Sequence, residues 1–143
     1  MKISDILRTK GSAVVTVTPD RPIQDALRTL VDHNIGALVV FDGRLHGIIT
    51  ERDVLRFAAT DLQRLGSAQV RDLMTVDVIT TAPEADIRHV MDIMTERHIR
   101  HLPVLAHGTL CGMISIGDVV NALRQSVEAE NQHLHAYITG TPL

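Results

Sequence analysis

The sequence predicts an α+β fold: two β-α-β-β-α repeats packed sheet to sheet with pseudo-two-fold symmetry. Three observations carry this. First, "GIITERD" (47–53) returns as "GMISIGD" (112–118). Second, the halves superpose. Pro19 falls on Pro83, Ile23 on Ile87, Leu27 on Met91, Leu30 on Met94, Ile35 on Ile99 and Val40 on Val104, each 64 positions apart. After one extra residue in the second turn, Gly43, Leu45, Gly47 and Asp53 meet Gly108, Leu110, Gly112 and Asp118 at a spacing of 65. Self-similarity at a fixed period marks a duplicated unit. Third, each half switches between helical and strand periodicity in the same order.

The elements follow in chain order. "ISDIL" (3–7) and "VRDLM" (70–74) are matching lead-ins. A short strand, Val14–Val17 or Val78–Thr80, then runs towards a proline. An amphipathic helix follows, with a stripe at Ile23, Ala26, Leu27, Leu30 and Val31. Its counterpart has Ile87, Val90, Met91 and Met94, and both keep the spacing of one buried helical face. Two apolar runs then flank a tight turn: "ALVVF", "DGR", "LHGIIT", and in the copy "LPVL", "AHGT", "LCGMIS". Asp42-Gly43 is a hairpin signal. A second helix starts at the hydroxyl residue and is expected to bury Val54, Leu55, Ala58 and Leu62. The copy would bury Val119, Val120, Leu123 and Val127. Boundaries are expected at 1–65, 66–127 and a helical extension, 128–143. Leu134, Tyr137 and Ile138 stripe that extension, as a brace on the body or as a dimer contact. One repeat alone would bury too little surface, so the two should share a core.

Composition narrows the function. With no Trp, one Tyr and two Phe, the core must be aliphatic, and stacking of bases on exposed aromatics is nearly unavailable. Net charge is −3 and no Lys/Arg run is present, which argues against nucleic acid. No 18-residue apolar stretch or signal peptide is visible, so no membrane is expected and the cytoplasm is the default. The single cysteine, Cys111, excludes an internal disulfide and reads as a packed side chain. His98-x-x-His101 has no third ligand in sight, so no metal is expected. No nucleophile–base–orienter set appears, so the chain does not read as an enzyme.

Thr50-x-x-Asp53 and Ser115-x-x-Asp118 remain. As structure they are capping boxes: a hydroxyl bonds the backbone N–H three residues on, and an acid sits in the first turn. As chemistry the same geometry suits a nucleotide. Helix N-termini offer N–H groups to an anion. A carboxylate, with its paired acceptor oxygens, suits a vicinal diol. Gly47 and Gly112 would let the strand backbone approach a ligand.

Together, the duplicated "GIITERD"/"GMISIGD" and the connecting "VRDLMTVDVITTAPEADIRHVMDIMTERHIRHLPVL" resemble a tandem pair of CBS domains, a Bateman module of the short stand-alone bacterial type. The likeness covers about residues 2–127. It implies clefts that combine the start of one repeat with the G-h-h-T/S-x-x-D of the other. Carried over, one site would use Thr16, Val17, Ile35, Gly36 and Ala37 with Ser115 and Asp118. The other would use Thr80, Ile99, Arg100 and His101 with Thr50 and Asp53. Arg52, Arg100, His101 and, more weakly, Lys10 would neutralise phosphates. Arg52 faces Gly117 in the alignment, so the two sites should differ in charge and in ligand. The resemblance implies a regulatory sensor of AMP, ADP, ATP or NAD(H), with AMP the first expectation. It also implies a homodimer read by an effector protein. The alternative is a structural dimerisation module with empty or degenerate clefts.

Overall fold

The computed structural model describes residues 1–140. In order, the elements are α1 (Ile3–Lys10), β1 (Thr16–Val17), α2 (Ile23–His33), β2 (Ala37–Phe41), β3 (Leu45–Thr50), α3 (Glu51–Thr60), α4 (Leu62–Leu65), α5 (Val70–Leu73), α6 (Ile87–Arg97), β4 (His101–Ala106), β5 (Thr109–Ser115) and α7 (Ile116–Thr139). This is a mixed α+β chain with two sheets, β1-β2-β3 and β4-β5.

The repeat is visible in the details of each element. α2 and α6 both stop at a residue in the left-handed region, Asn34 (φ 51°) and His98 (φ 55°), which are 64 positions apart. Both hairpins carry a register irregularity at the same place, Val40/Phe41 and Val104/Leu105. The second hairpin turns through His107 and Gly108, both at positive φ, as a two-residue turn with the twist of its strands requires.

Contacts divide the chain into two compact units, but not at the repeat boundary. One unit joins Met1–Ser12 to the chain from Thr80 onward; the other is Ala13–Ile79. The lead-in helices account for this. In the 13–79 unit, α5 is tied to the entrance of α2: Ile23 N–H donates to Ala68 (2.9 Å), Val70 N–H to Arg21 (2.9 Å) and Arg71 N–H to Pro19 (2.9 Å). In the other unit, α1 makes the same set with the entrance of α6: Ile87 to Met1 (3.1 Å), Ile3 to Ala85 (3.0 Å) and Ser4 to Pro83 (2.9 Å). Each lead-in helix therefore belongs with the body of the repeat other than the one it precedes in sequence.

The 13–79 core gathers Val17, Ile23, Ala26, Leu30, Leu38, Val40, Ile49, Ala68, Val70 and Leu73. Each large aliphatic side chain fully removed from water contributes about 1.5–3 kcal/mol. Val31 departs from expectation and is exposed. It lies about 80° round the helix from Ile23, at the edge of the stripe. Leu55 and Leu62 are exposed too. The inward face of α3 and α4 is instead Val54, Phe57 and Leu65, which pack on the core. Phe57, three residues after Val54, is on the buried face although it is not among the residues expected there.

In the other unit Ile3, Ile6, Ile87, Val90, Met94, Leu102, Val104, Ile114, Val119 and Ala122 are buried. Val120 and Val127, expected inside, are exposed. They stand 65 positions after Leu55 and Leu62, so both repeats present the same apolar pair. The extension continues α7, and its stripe of Leu134, Tyr137 and Ile138 is exposed, so it does not brace the body.

The expected strand Val78–Thr80 is not a strand. Its place is held by a single parallel bridge, Thr81 with Val104. Pro103 explains the loss. In the first repeat Val39 N–H donates to Val15 (3.4 Å), extending the ladder beside β1. Pro103 stands 64 positions after Val39 and has no N–H to give to Ile79. Only Thr81 N–H to Pro103 (3.0 Å) and Leu105 N–H to Thr81 (2.9 Å) remain.

Candidate functional site

Each helix that follows a hairpin begins with a complete capping box. At α3, Asp53 N–H donates to Thr50 Oγ1 (3.2 Å) and Thr50 N–H to Asp53 Oδ2 (2.9 Å). At α7, Asp118 N–H donates to Ser115 Oγ (3.2 Å) and Ser115 N–H to Asp118 Oδ2 (2.9 Å). The first helical amide is also spoken for. Glu51 N–H donates to Gly36 (3.1 Å) and Ile116 N–H to Arg100 (2.8 Å). The second amide, Arg52 N–H or Gly117 N–H, has no partner among the described residues. It is the donor each helix start keeps available for an anion.

Strand register brings expected residues together within each unit. Ala37 lies opposite Thr50 on β2 and β3, and His101 opposite Ser115 on β4 and β5. Gly36 and Arg100 stand at the matching helix starts through their carbonyls. Thr16 and Val17 form β1, paired with Val39 and Val40. Ile35 and Ile99 follow the helix caps, their N–H groups donating back to Leu30 and Met94 (both 3.1 Å). Thr80 precedes the Thr81 bridge, and Arg52 is exposed. Thr16, Val17, Ile35, Gly36, Ala37, Thr50, Arg52 and Asp53 thus belong to the 13–79 unit. Lys10, Thr80, Ile99, Arg100, His101, Ser115 and Asp118 belong to the other.

The glycines of the two motifs serve a purpose the sequence did not suggest. A Cβ on Gly47 would come 2.6 Å from the Thr75 carbonyl oxygen, and one on Gly112 2.6 Å from a methyl of Leu7. Both make room for a lead-in helix or the residue after it. The backbone they free is therefore not open to a ligand.

The two carboxylates are held differently. Thr75 meets the first repeat twice: its N–H donates to Ile48 (2.9 Å) and its hydroxyl to Asp53 Oδ1 (3.2 Å). In the other unit one ammonium does both jobs. Lys10 Nζ donates to Met113 O (2.8 Å) and to Asp118 Oδ2 (2.6 Å). Met113 and Asp118 are the counterparts of Ile48 and Asp53. Burial raises the Asp118 carboxyl, but Lys10 and the Ser115 N–H outweigh it and hold the group below its ordinary range. Asp118 accepts from Lys10 and from the Ser115 N–H through Oδ2, whereas Asp53 is engaged through both of its oxygens.

Elsewhere, His98 forms the α6 cap. Among the described residues no group of three or more His, Cys, Asp or Glu side chains comes together to hold a metal. Cys111 Sγ donates to the Val104 carbonyl (3.4 Å), and burial pushes its thiol up, away from the reactive thiolate. No described helix is long and apolar enough to cross a membrane.

This duplicated cap, hairpin and exchanged lead-in helix match a known family. The CBS domain model fits the chain twice, over residues 3–60 and 70–125. The chain belongs to the CBS-domain family. This CBS pair is 40% identical over 148 residues to the CBS domain-containing protein CBSX3, mitochondrial, of Arabidopsis thaliana, covering 96% of this chain and 72% of that one. Among solved structures, it resembles a CBS-domain containing protein from Agrobacterium tumefaciens. The TM-score is 0.83 and the identity 42%, over 85% of this chain and 98% of that one. It also resembles the CBS domain pair of protein MJ0100 in complex with 5-methylthioadenosine and S-adenosyl-L-methionine. There the TM-score is 0.77 and the identity 26%, over 88% of this chain and 98% of that one.

Proposed function

We propose that this CBS pair is a regulatory sensor, not an enzyme, that binds an adenine nucleotide in the cytoplasm. The observation that carries this reading is the doubled helix start. Each copy sets an amide without a partner among the described residues and a hydroxyl beside a carboxylate within one turn. The amide suits a phosphate oxygen, and the carboxylate suits the ribose 2′,3′-diol. The adenosyl ligands in the MJ0100 complex support the same chemistry. By the family resemblance, the binding residues are Ser115 and Asp118 at one helix start and Thr50 and Asp53 at the other, with Thr16, Val17, Ile35, Gly36, Ala37, Thr80, Ile99, Arg100 and His101 as further contacts. Arg52, Arg100 and His101 supply charge. AMP is the first candidate, ahead of ADP, ATP and NAD(H). Binding shifts the population between two arrangements of the pair by the difference in affinity, and an effector protein reads the result.

Thermal unfolding with each of these ligands and S-adenosylmethionine tests the reading. A ligand that binds only the native state raises Tm. No rise at millimolar concentrations of any of them would leave a dimerisation module as the better account.

Homodimerisation belongs to the same proposal. Leu55 and Leu62 in one repeat, and Val120 and Val127 in the other, form exposed apolar pairs at equivalent places, and Leu134, Tyr137 and Ile138 prolong the second. Exposed apolar side chains repeated at equivalent places suit a protein contact. Val127→Arg is expected to convert the dimer to a monomer in sedimentation equilibrium. A wild-type monomer would remove this part of the reading.

A further inference from the structure

Lys10 occupies a place for which the other repeat uses a neutral group. Asp53 is met by the Thr75 hydroxyl, and Thr75 is separately fixed by a pair of backbone hydrogen bonds with Ile48 (3.0 and 2.9 Å). A ligand diol that displaces the hydroxyl leaves behind nothing but a dipole that water can satisfy. Asp118 is met by a charge. Its side chain is 24% exposed and that of Lys10 39%, so the pair is half-withdrawn from water. A diol that takes both Asp118 oxygens must detach an ammonium ion, which among the described residues then keeps only the Met113 carbonyl. That loss is offset if the incoming molecule brings its own anion within reach of the lysine's four-carbon stem.

We propose that Lys10 is a specificity residue that restricts the Asp118 half-site to phosphorylated adenosine compounds, while the Asp53 half-site also accepts unphosphorylated ones. This rests on the nucleotide reading above and adds a ligand class to each half-site. A neutral adenosine must compete with the ammonium for the carboxylate, and a sulfonium such as S-adenosylmethionine adds a second cation beside it. AMP exchanges one ionic partner for another: Asp118 goes to the diol and Lys10 to the phosphate. The depressed Asp118 carboxyl agrees with a resident cation. The lysine is well placed for such an exchange. It ends α1, with Gly11 (φ 98°) directly after it, so its tie is a flexible side chain and not a ladder of backbone bonds.

The experiment isolates each half-site and measures AMP and adenosine by calorimetry. With Asp53→Ala, which leaves only the Asp118 half-site, AMP is expected to bind at least tenfold more tightly than adenosine. Adding Lys10→Met should bring the two within about threefold, and Lys10→Arg should restore the preference. With Asp118→Ala, Lys10→Met should leave the AMP/adenosine ratio unchanged. Circular dichroism and Tm establish that each variant is folded, and Asp118→Asn and Asp53→Asn replace any alanine variant that is not. A ratio that ignores Lys10→Met in the Asp53→Ala background overturns the proposal while leaving nucleotide binding intact. If neither AMP nor adenosine binds wild-type protein, the nucleotide reading itself fails, and this inference with it.

Discussion

The starts of α3 and α7 are the same device built from different parts. Both use a hydroxyl, a carboxylate and an amide without a partner among the described residues; both lean on a lead-in segment through a glycine. Around α3 the support is backbone: Thr75 pairs with Ile48, and the Gly47 gap is filled by a carbonyl. Around α7 the support is side chain: Lys10 reaches Met113 and Asp118, and the Gly112 gap is filled by Leu7. A backbone support is stiff and neutral, whereas a side-chain support is yielding and here carries charge. Duplication kept the geometry of the cap and changed what can be exchanged at it.

The largest expected consequence concerns the glycines. Gly47→Ala drives a methyl against the Thr75 carbonyl, which cannot move without breaking the Ile48 pairing. It should destabilise by about 3 kcal/mol, the upper range for overpacking. Gly112→Ala meets only the end of Leu7, which can change rotamer, and should cost about 1 kcal/mol. Urea unfolding compares the two. Equal losses would show that both supports are equally stiff.

Next is ligand affinity. Hydrogen bonds to a charged group contribute about 1.5–3 kcal/mol, so Asp118→Ala should weaken AMP binding tenfold or more at its half-site. Asp53→Ala should cost at least as much at its own half-site, because the diol there displaces a neutral hydroxyl and not an ammonium ion. Calorimetric titration of the two variants orders them, and a clearly smaller loss at Asp53 would mean that the group already resting on the carboxylate does not govern diol binding.

Much of this was legible in the sequence, for a physical reason. Periodicity and capping are local: the helix stripes, both hairpins and both capping boxes follow from spacing alone. What escaped depends on distant partners. Nothing within the window of "GIITERD" says that Gly47 faces Thr75, nor does any local signal link Lys10 to Asp118 across 108 positions. Leu55 and Leu62 misled because helical spacing identifies an apolar face without saying whether that face turns inward or out. The lead-in echo of "ISDIL" and "VRDLM" was visible, but not that each packs with the other repeat's body.

A third comparison concerns the strand that one repeat has lost. Val39→Pro would give the first repeat the defect that Pro103 gives the second. It removes the Val39 N–H to Val15 bond, worth about 1 kcal/mol, besides whatever the buried Val39 side chain loses in packing. Amide exchange read by NMR at Val17 and its neighbours should accelerate while β2–β3 amides stay protected. Unchanged protection would mean that something other than Pro103 ends the second ladder.

The smallest expected effect tests the ion pair as a support. Lys10 and Asp118 are partly exposed, so solvent screening keeps the pair below about 1 kcal/mol. Because the folded Asp118 carboxyl lies below its ordinary range, the stabilisation is fully present above the unfolded value, about pH 3.9. It is lost as pH falls through the lower folded value. The stability gap between wild type and Lys10→Met should therefore be constant from pH 7 down to about 5 and close in more acid solution. Salt should narrow it at neutral pH. A gap that persists after Asp118 is protonated would mean that the Met113 carbonyl, and not the carboxylate, is what Lys10 holds α1 by. In that case the ammonium would not have to leave when a diol arrives, and the charge difference between the two helix starts would have no bearing on which ligand each accepts.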